Sequence, residues 1–256
     1  MLRHPTLTQL AELKLHGMVR ALEEQMAMAD IAELGFEERL GLLVEREATE
    51  RASRRFENRL RRAKLREQAT LEDLDWRLPR QIDRAQVLSL ASCRWIADHL
   101  NTLIIGPTGI GKTYLACAFV HKACRDGYTA LYMRVPTLLR ELEIARGDGS
   151  YDRWLRRLAR ADLLALDDWG LVPPNEHGRR DLLEIFEDRY GRRSTLVASQ
   201  IPQDKWHDLL GDPTLADAIL DRLVHGAYRL DLQGESVRGN RARRRSGTVS
   251  GKASEK

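Results

Sequence analysis

The segment Gly106-Pro107-Thr108-Gly109-Ile110-Gly111-Lys112-Thr113 constrains this chain more than any other, because it fits the phosphate-binding pattern G-x-x-x-x-G-K-[ST] in the setting that pattern needs. Leu103, Ile104 and Ile105 form a short apolar strand ending at Gly106, and Lys112 to Arg125 has helical spacing, with Leu115, Ala118, Phe119 and Ala123 on one side. The fixed positions of the pattern coincide by chance in roughly 1% of chains this long, and the flanking strand and helix make a coincidence rarer still. Glycines let the backbone curl with its NH groups inward, and the helix N-terminus adds partial positive charge, so the loop holds the oxygens of a polyphosphate. Lys112 is expected to reach the β and γ phosphates of ATP, and Thr113 to offer a hydroxyl to Mg²⁺.

A second chemical element follows at Leu163-Leu164-Ala165-Leu166-Asp167-Asp168, an apolar run with carboxylates at its carboxyl end, where parallel α/β sheets place their ligands. Taken alone it is an ordinary strand entering an acidic turn; after a P-loop it supplies Asp167 to hold Mg²⁺ through water and Asp168 to orient or deprotonate the attacking water. Further strands are expected at Ala130–Arg134, Thr195–Ser199, with polar Ser199 and Gln200 at its end, and Tyr228–Leu232. Between them the spacing predicts helices over 136–146, 151–161, 177–193, 204–210 and 215–225, and another over 83–100 ahead of the P-loop strand. Strands alternating with helices imply an α/β fold, a five-stranded parallel sheet with helices on both faces.

Ahead of this core, Thr8 is placed to cap a helix running to about Met28, with Leu15, Met18, Val19, Leu22 and Met26 as its buried stripe. After a turn at Gly35, residues 36–67 predict one long or two consecutive helices, in which Phe36, Leu40, Leu43 and Val44, then Ala52, Phe56, Leu60 and Ala63, keep helical spacing. Arg51, Arg55, Arg59, Arg62 and Arg66 share one face of that projection, which suits a solvated surface or contact with phosphates. Residues 1–70 thus read as a small all-α domain, 71–237 as the nucleotide-binding core and 238–256 as a flexible basic tail.

Charge follows the same division. Nine basic and three acidic residues lie between Arg46 and Arg66, seven basic and one acidic between Arg238 and Lys256, whereas residues 76–237 carry 22 of each. Basic zones flanking a neutral core suggest nucleic acid more than a small anionic substrate. No apolar run reaches the ~20 residues that span a bilayer, and Met1-Leu2-Arg3-His4-Pro5-Thr6 lacks the apolar stretch of a signal peptide, so no membrane association and a cytoplasmic location are expected. Cys93, Cys117 and Cys124 read as reduced thiols, and the seven scattered histidines give no metal-ligand spacing.

Taken together, Gly106 to Thr113, Leu163 to Gly170 with its Leu166-Asp167-Asp168-Trp169-Gly170 phrase, the strand Thr195 to Gln200 and Ile219-Leu220-Asp221-Arg222-Leu223 resemble the AAA+ ATPases of the DnaC/IstB group. Within that group the Leu166–Gly170 phrase, the short C-terminus and the Arg-rich N-terminal helix resemble the IstB-like helper ATPases of bacterial insertion sequences. The resemblance implies a P-loop AAA+ ATPase that forms a homo-oligomer on duplex DNA, selects or prepares a target site, and recruits and stimulates the transposase encoded by the same element. It assigns Gln200 or Ser199 to the polar sensor, Arg222 to the arginine finger and Arg238 to a further phosphate contact. Asp168 stands where most AAA+ proteins carry Glu, and no sequence remains for a C-terminal helical lid. A DnaC-like replicative helicase loader shares the same chemistry and is the alternative reading; a small-molecule kinase lacks an acceptor-binding lid here. In the helix over 151–161, Arg153, Arg156, Arg157 and Arg160 occupy one face and Trp154, Leu155 and Leu158 the other. Its position resembles the DNA-facing insertion of initiators and loaders, while pairing with Asp148, Asp152 and Asp162 is the plainer reading.

Overall fold

The computed structural model describes residues 4–77 and 81–234; the basic tail, with Arg238, lies outside them. The chain divides into two compact units, Met1–Asn58 and Arg59–Lys256.

The first unit contains α1 (Pro5–Glu12), α2 (His16–Ala27), a 3-10 turn (Ile31–Glu33) and most of α3 (Phe36–Ala63), whose last turn belongs to the second unit. The single helix expected from Thr8 to Met28 is two. Pro5, with its fixed φ, opens α1 ahead of Thr8, and Lys14 at φ 60° ends it before α2 begins. The buried stripe of α2 is also not the apolar one expected. Gly17, Ala21 and Gln25 are buried while Met26 is 58% exposed.

Small residues win because α2 lies close against α3: a Cβ on Gly17 would sit 2.6 Å from the Cα of Glu47. That approach lets Glu47 Oε2 accept from the amides of Gly17 at 2.6 Å and Met18 at 3.2 Å, capping α2 from another helix where Leu15 offers no side-chain acceptor. Arg51 Nε donates to Glu47 Oε1 at 2.6 Å. Burial alone would push the Glu47 carboxyl up, but Arg51 and the two amides outweigh it and hold it below the ordinary carboxylate range. Farther along, Gln25 Nε2 donates to Arg39 O at 3.0 Å, so the helices run antiparallel. Phe36, Leu40 and Val44 of α3 remain exposed.

The second unit holds β1 (Thr102–Ile105), β2 (Ala130–Arg134), β3 (Leu163–Trp169), β4 (Ser194–Ser199) and β5 (Tyr228–Asp231), all parallel, in the order β2-β3-β4-β1-β5. Its helices are α4 (Arg84–Leu90), α5 (Arg94–Ala97), α6 (Lys112–Arg125), α7 (Val135–Asp148), α8 (Tyr151–Arg160), α9 (Glu176–Arg189), α10 (Trp206–Leu210) and α11 (Pro213–Val224). Strand alternation sends Leu103, Ile105, Leu166 and Val197 to one core with Leu138, Leu142, Phe186 and Ile219 from α7, α9 and α11. The alternate positions Ile104, Ala165 and Ala198 turn to the opposite face, where α6 lies against the sheet. The helix expected over 83–100 is interrupted. Asp83 caps α4, but Trp95 Nε1 donates to the Leu90 carbonyl at 3.0 Å and Cys93 at φ 56° turns the chain before α5.

Arg189, almost fully buried, secures α8. Its Nη1 donates to the Leu158 carbonyl at 2.5 Å and the Ala161 carbonyl at 2.9 Å, acceptors that the helix end leaves open, while Nε reaches Thr195 Oγ1 at 3.1 Å and Nη2 the Ser194 carbonyl. All three cysteines are buried free thiols, and burial raises the pKa of each. Among the described residues no helix is long and apolar enough to cross a membrane.

Replacing Glu47 with Ala is expected to destabilise the first unit by about 1–3 kcal/mol, since it strands one buried and one half-buried amide, and to speed hydrogen exchange at Gly17 and Met18. Because the folded carboxyl lies below its unfolded pKa, its contribution is present above the ordinary carboxylate range and is lost as pH falls through the folded value. Wild-type protection of these amides should therefore fall away in acid while the variant shows no such step; equal protection in both proteins would remove Glu47 as the cap.

Candidate functional site

The strand order builds the site. β4 lies between β1 and β3, so the loops leaving all three carboxyl ends are neighbours, and Gly106 N donates to Ser199 O at 3.2 Å. Gly106 is required by crowding: a Cβ there would lie 2.5 Å from the Leu232 carbonyl oxygen just past β5. Gly111, at φ 105°, lets the loop enter α6 in a left-handed conformation that side chains disfavour. Ile110 is buried beneath the loop, and Lys112 Nζ lies over it, donating to the carbonyls of Gly106 at 2.7 Å and Pro107 at 2.8 Å.

Thr113 Oγ1 donates to Asp167 Oδ2 at 2.7 Å, joining the first turn of α6 to the end of β3. Asp167 is buried, and Tyr132 OH donates to the same oxygen at 2.6 Å. Burial first, and then this bond to a carboxylate, raise the Tyr132 pKa. Two hard oxygens this close, beside a polyphosphate loop, fit the coordination habits of Mg²⁺, which keeps waters and takes other ligands from the nucleotide.

Asp168 stands at a bulge, where the register of β3 with β4 shifts between Leu166 and Trp169. Its φ of 56° is left-handed, which for a non-glycine residue costs about 1–3 kcal/mol and recurs at functional sites. Trp169 anchors the bulge, its ring 5.9 Å from Phe186 and 5.5 Å from Trp206. The Asp168 carboxylate receives Arg134 Nε, and Arg66 Nη1 lies 3.9 Å away. Neither residue was expected here. Register supplies the missing signal for Arg134, which pairs with Asp167 across β2 and β3.

Of the two sensor candidates, Ser199 is buried and bonds locally, donating to the Trp169 carbonyl at 2.9 Å, whereas Gln200 Oε1 accepts from Thr108 of the P-loop. Arg222 lies elsewhere. The amide of Asn101, just before β1, donates to the Arg222 carbonyl at 3.0 Å, and the Arg222 guanidinium bonds the Ala218 carbonyl at 2.8 Å and Glu187 at 2.7 Å. It therefore sits at the amino ends of the strands, with β1 between it and the P-loop.

The five arginines read as one face are dispersed. Arg51 is held by Glu47, Arg55 is exposed on α3, Arg66 falls beyond the end of α3 and faces Asp168, and Arg59 and Arg62 line a cavity with Arg153, Arg156, Arg157 and Arg160 of α8. Asp162 does not pair with α8 but with Arg193, at 3.6 Å.

The sequence matches the family described as IstB-like ATP binding protein over residues 8–246. An insertion sequence ATP-binding protein of Sinorhizobium fredii is 54% identical over 244 residues, covering 95% of this chain and 100% of that protein. The insertion sequence IS21 ATP-binding protein of Pseudomonas aeruginosa is 33% identical over 229 residues, 90% of this chain and 86% of that one. Among solved structures, DnaI has a TM-score of 0.55 at 22% identity, covering 69% of this chain and 94% of its own. The DnaC helicase loader has a TM-score of 0.53 at 17% identity, covering 64% and 97%. At these identities the structural likeness is one of fold, the P-loop AAA+ core.

The pairing of Asp168 with Arg134 offers a test of the role expected for its carboxylate. Both partners are partly exposed, so the ion pair contributes about 0.5–1 kcal/mol, and freeing the carboxylate should raise basal ATP turnover roughly two- to fivefold. Arg134→Ala, assayed for phosphate release without added DNA, is expected to show that rise with unchanged ATP affinity; a loss of turnover would instead make Arg134 part of the working site.

Proposed function

The chain belongs to the IstB-like ATP-binding family, and from that premise we propose that it is the ATP-hydrolysing helper of an insertion sequence, assembling as a homo-oligomer on duplex DNA, selecting or preparing the target and recruiting and stimulating the transposase of the same element. One observation carries the reading: Lys112, Thr113, Asp167, Asp168 and Gln200 meet at the carboxyl end of the sheet while Arg222 stands at its amino end. A site with that division of parts hydrolyses ATP when a second copy supplies the arginine.

In this scheme the P-loop amides and Lys112 neutralise and position the phosphates. Thr113 and Asp167 hold Mg²⁺, which when bound draws charge from the transferring phosphoryl group. Asp168, once free of Arg134, takes or orients the proton of the attacking water. Gln200, fixed to the P-loop through Thr108, lies where it can align that water. Arg222 meets the charge that develops on the γ-phosphate of a neighbouring copy. The arginines of α8 and the end of α3 supply contacts to DNA phosphates, which carry no sequence information by themselves.

A replicative helicase loader would use the same residues. The helper reading is favoured by the extent of identity to insertion sequence proteins, 54% across nearly the whole chain, against 17% to the loader DnaC.

Lys112→Ala is expected to abolish ATP binding, and Asp168→Asn to spare binding while blocking hydrolysis, as read by nucleotide titration and phosphate release. An arginine finger contributes about 10³–10⁵ in rate, so Arg222→Ala should be nearly inactive alone, yet mixing it with Lys112→Ala should restore measurable turnover at hybrid interfaces. No recovery in demonstrated mixed assemblies would count against a shared site, and wild-type hydrolysis by Asp168→Asn would end its catalytic assignment.

A further inference from the structure

Two arginine groups far apart in sequence, at the end of α3 and along α8, line one cavity of about 570 Å³. We propose that this cavity is a composite cleft that grips a short run of consecutive phosphates in the backbone of duplex DNA, with Arg59 and Arg62 contributed by α3 and Arg153, Arg156, Arg157 and Arg160 by α8. The inference rests on the DNA-binding reading above and assigns it a site.

The charge balance of the cavity favours an anion. No carboxylate lines it. Asp162, the nearest in sequence to its floor, is occupied by the amide and hydroxyl of Thr129, at 2.9 and 2.7 Å, and by Arg193. Asp148 accepts the Ser150 amide at 2.9 Å. Among the described residues none of Arg62, Arg153, Arg156, Arg157 and Arg160 forms an ion pair within 4 Å, and Asp148, which acts electrostatically on Arg153, does not line the cavity. Six guanidinium groups around one cavity repel one another, and an anion relieves that repulsion.

Position and rigidity suit the same role. The floor comprises Thr129, Ala130 and Leu131 at the start of β2, an edge strand, and Ala161 just ahead of β3. It therefore lies at the amino end of the sheet, whereas the P-loop leaves the carboxyl end, so the two anion sites do not compete. α8 is fixed by buried Leu155 and Leu158 and by the Arg189 bonds to its last carbonyls, so its arginines stand on a braced element. Arg59 is steadied by its Nε bond to the Cys124 carbonyl at 2.7 Å.

The chemistry of the lining selects the ligand. Arginine forks suit phosphate oxygens, while the floor is apolar at Ala130, Leu131 and Ala161, and its polar side chain, Thr129, is engaged with Asp162, donating from Oγ1 at 2.7 Å and accepting the Asp162 amide at 3.2 Å. A cation count above the charge of one triphosphate, on solvent-facing side chains, fits a continuous polyanion. Recognition should accordingly be independent of sequence.

The test measures affinity of the full chain for a duplex oligonucleotide against salt, using Arg59→Gln/Arg62→Gln, Arg156→Gln/Arg157→Gln and their fourfold combination. Each pair should shallow the slope of log K against log salt by about 0.9 for every phosphate that the variant no longer neutralises. Because both walls hold the same phosphates, the combined loss should fall short of the sum. Since Arg59 also holds the Cys124 carbonyl, Arg62→Gln alone is carried in parallel, with ATP affinity and melting temperature as controls of folding. A slope changed by the α8 pair but by neither α3 variant, or strictly additive losses, would overturn the cleft while leaving DNA binding intact. Wild-type protein that fails to bind duplex DNA would overturn both. A fourfold variant that weakens free ATP at a second site but not duplex DNA would mark a small-anion pocket and overturn the proposal.

Discussion

The hydrogen bond from Thr113 Oγ1 to Asp167 Oδ2 spans β4, joining the first turn of α6 to the end of β3, and the site is arranged around it. It forms only because the chain crosses from β3 back to β4 before that strand settles between β3 and β1. The same crossing places Gln200 against Thr108, and β5 on the far side of β1 brings Leu232 against Gly106. Moving any of these strands by one position would separate the P-loop, Asp167 and Gln200 from one another. The bulge at Asp168 lets β3 end with two successive carboxylates that face apart, Asp167 turned in toward α6 and Asp168 turned out toward Arg134.

Two buried charges do the work that local capping residues leave undone. Glu47 closes the N-terminus of α2 and Arg189 the C-terminus of α8, each reaching from a distant part of the chain. Each is tolerated in the interior because its polar atoms find partners there. In the second unit, Arg189 thereby fixes the helix that carries four cavity arginines. The segment from the end of α3 onward has a double border: Arg59 and Arg62 line the cavity, and Arg66 stands 3.9 Å from Asp168. In the proposed scheme, nucleic acid and the catalytic carboxylate are thus addressed by arginines only a few residues apart.

Much of this was legible in the sequence where local pattern decides. The P-loop, α6 and β2 follow the apolar periodicity to the residue, and Asp167 and Asp168 stand at the strand end that the run from Leu163 marks. Helix breaks were not legible, because Lys14 and Cys93 adopt positive φ without a glycine to announce it. Nor was the packing of α2, since Gly17, Ala21 and Gln25 carry no apolar signal and are buried by the nearness of another helix. A helical projection grouped Arg51 with Arg66, but it cannot show that Glu47 holds the first or that α3 stops at Ala63 before the second. The alliance of Arg62 with Arg156 and the placement of Arg222 away from its own P-loop are tertiary facts, set by strand order.

The claim that the nucleotide site is divided between copies of the chain is tested most directly by the rate of ATP hydrolysis per chain, measured across a wide range of protein concentration with and without duplex DNA. A rate that climbs with concentration to a plateau, with its midpoint shifted to lower concentration by DNA, is expected of a site completed by a neighbour on a shared polyanion. A rate per chain that stays constant from dilute to concentrated protein, indifferent to DNA, would contradict it.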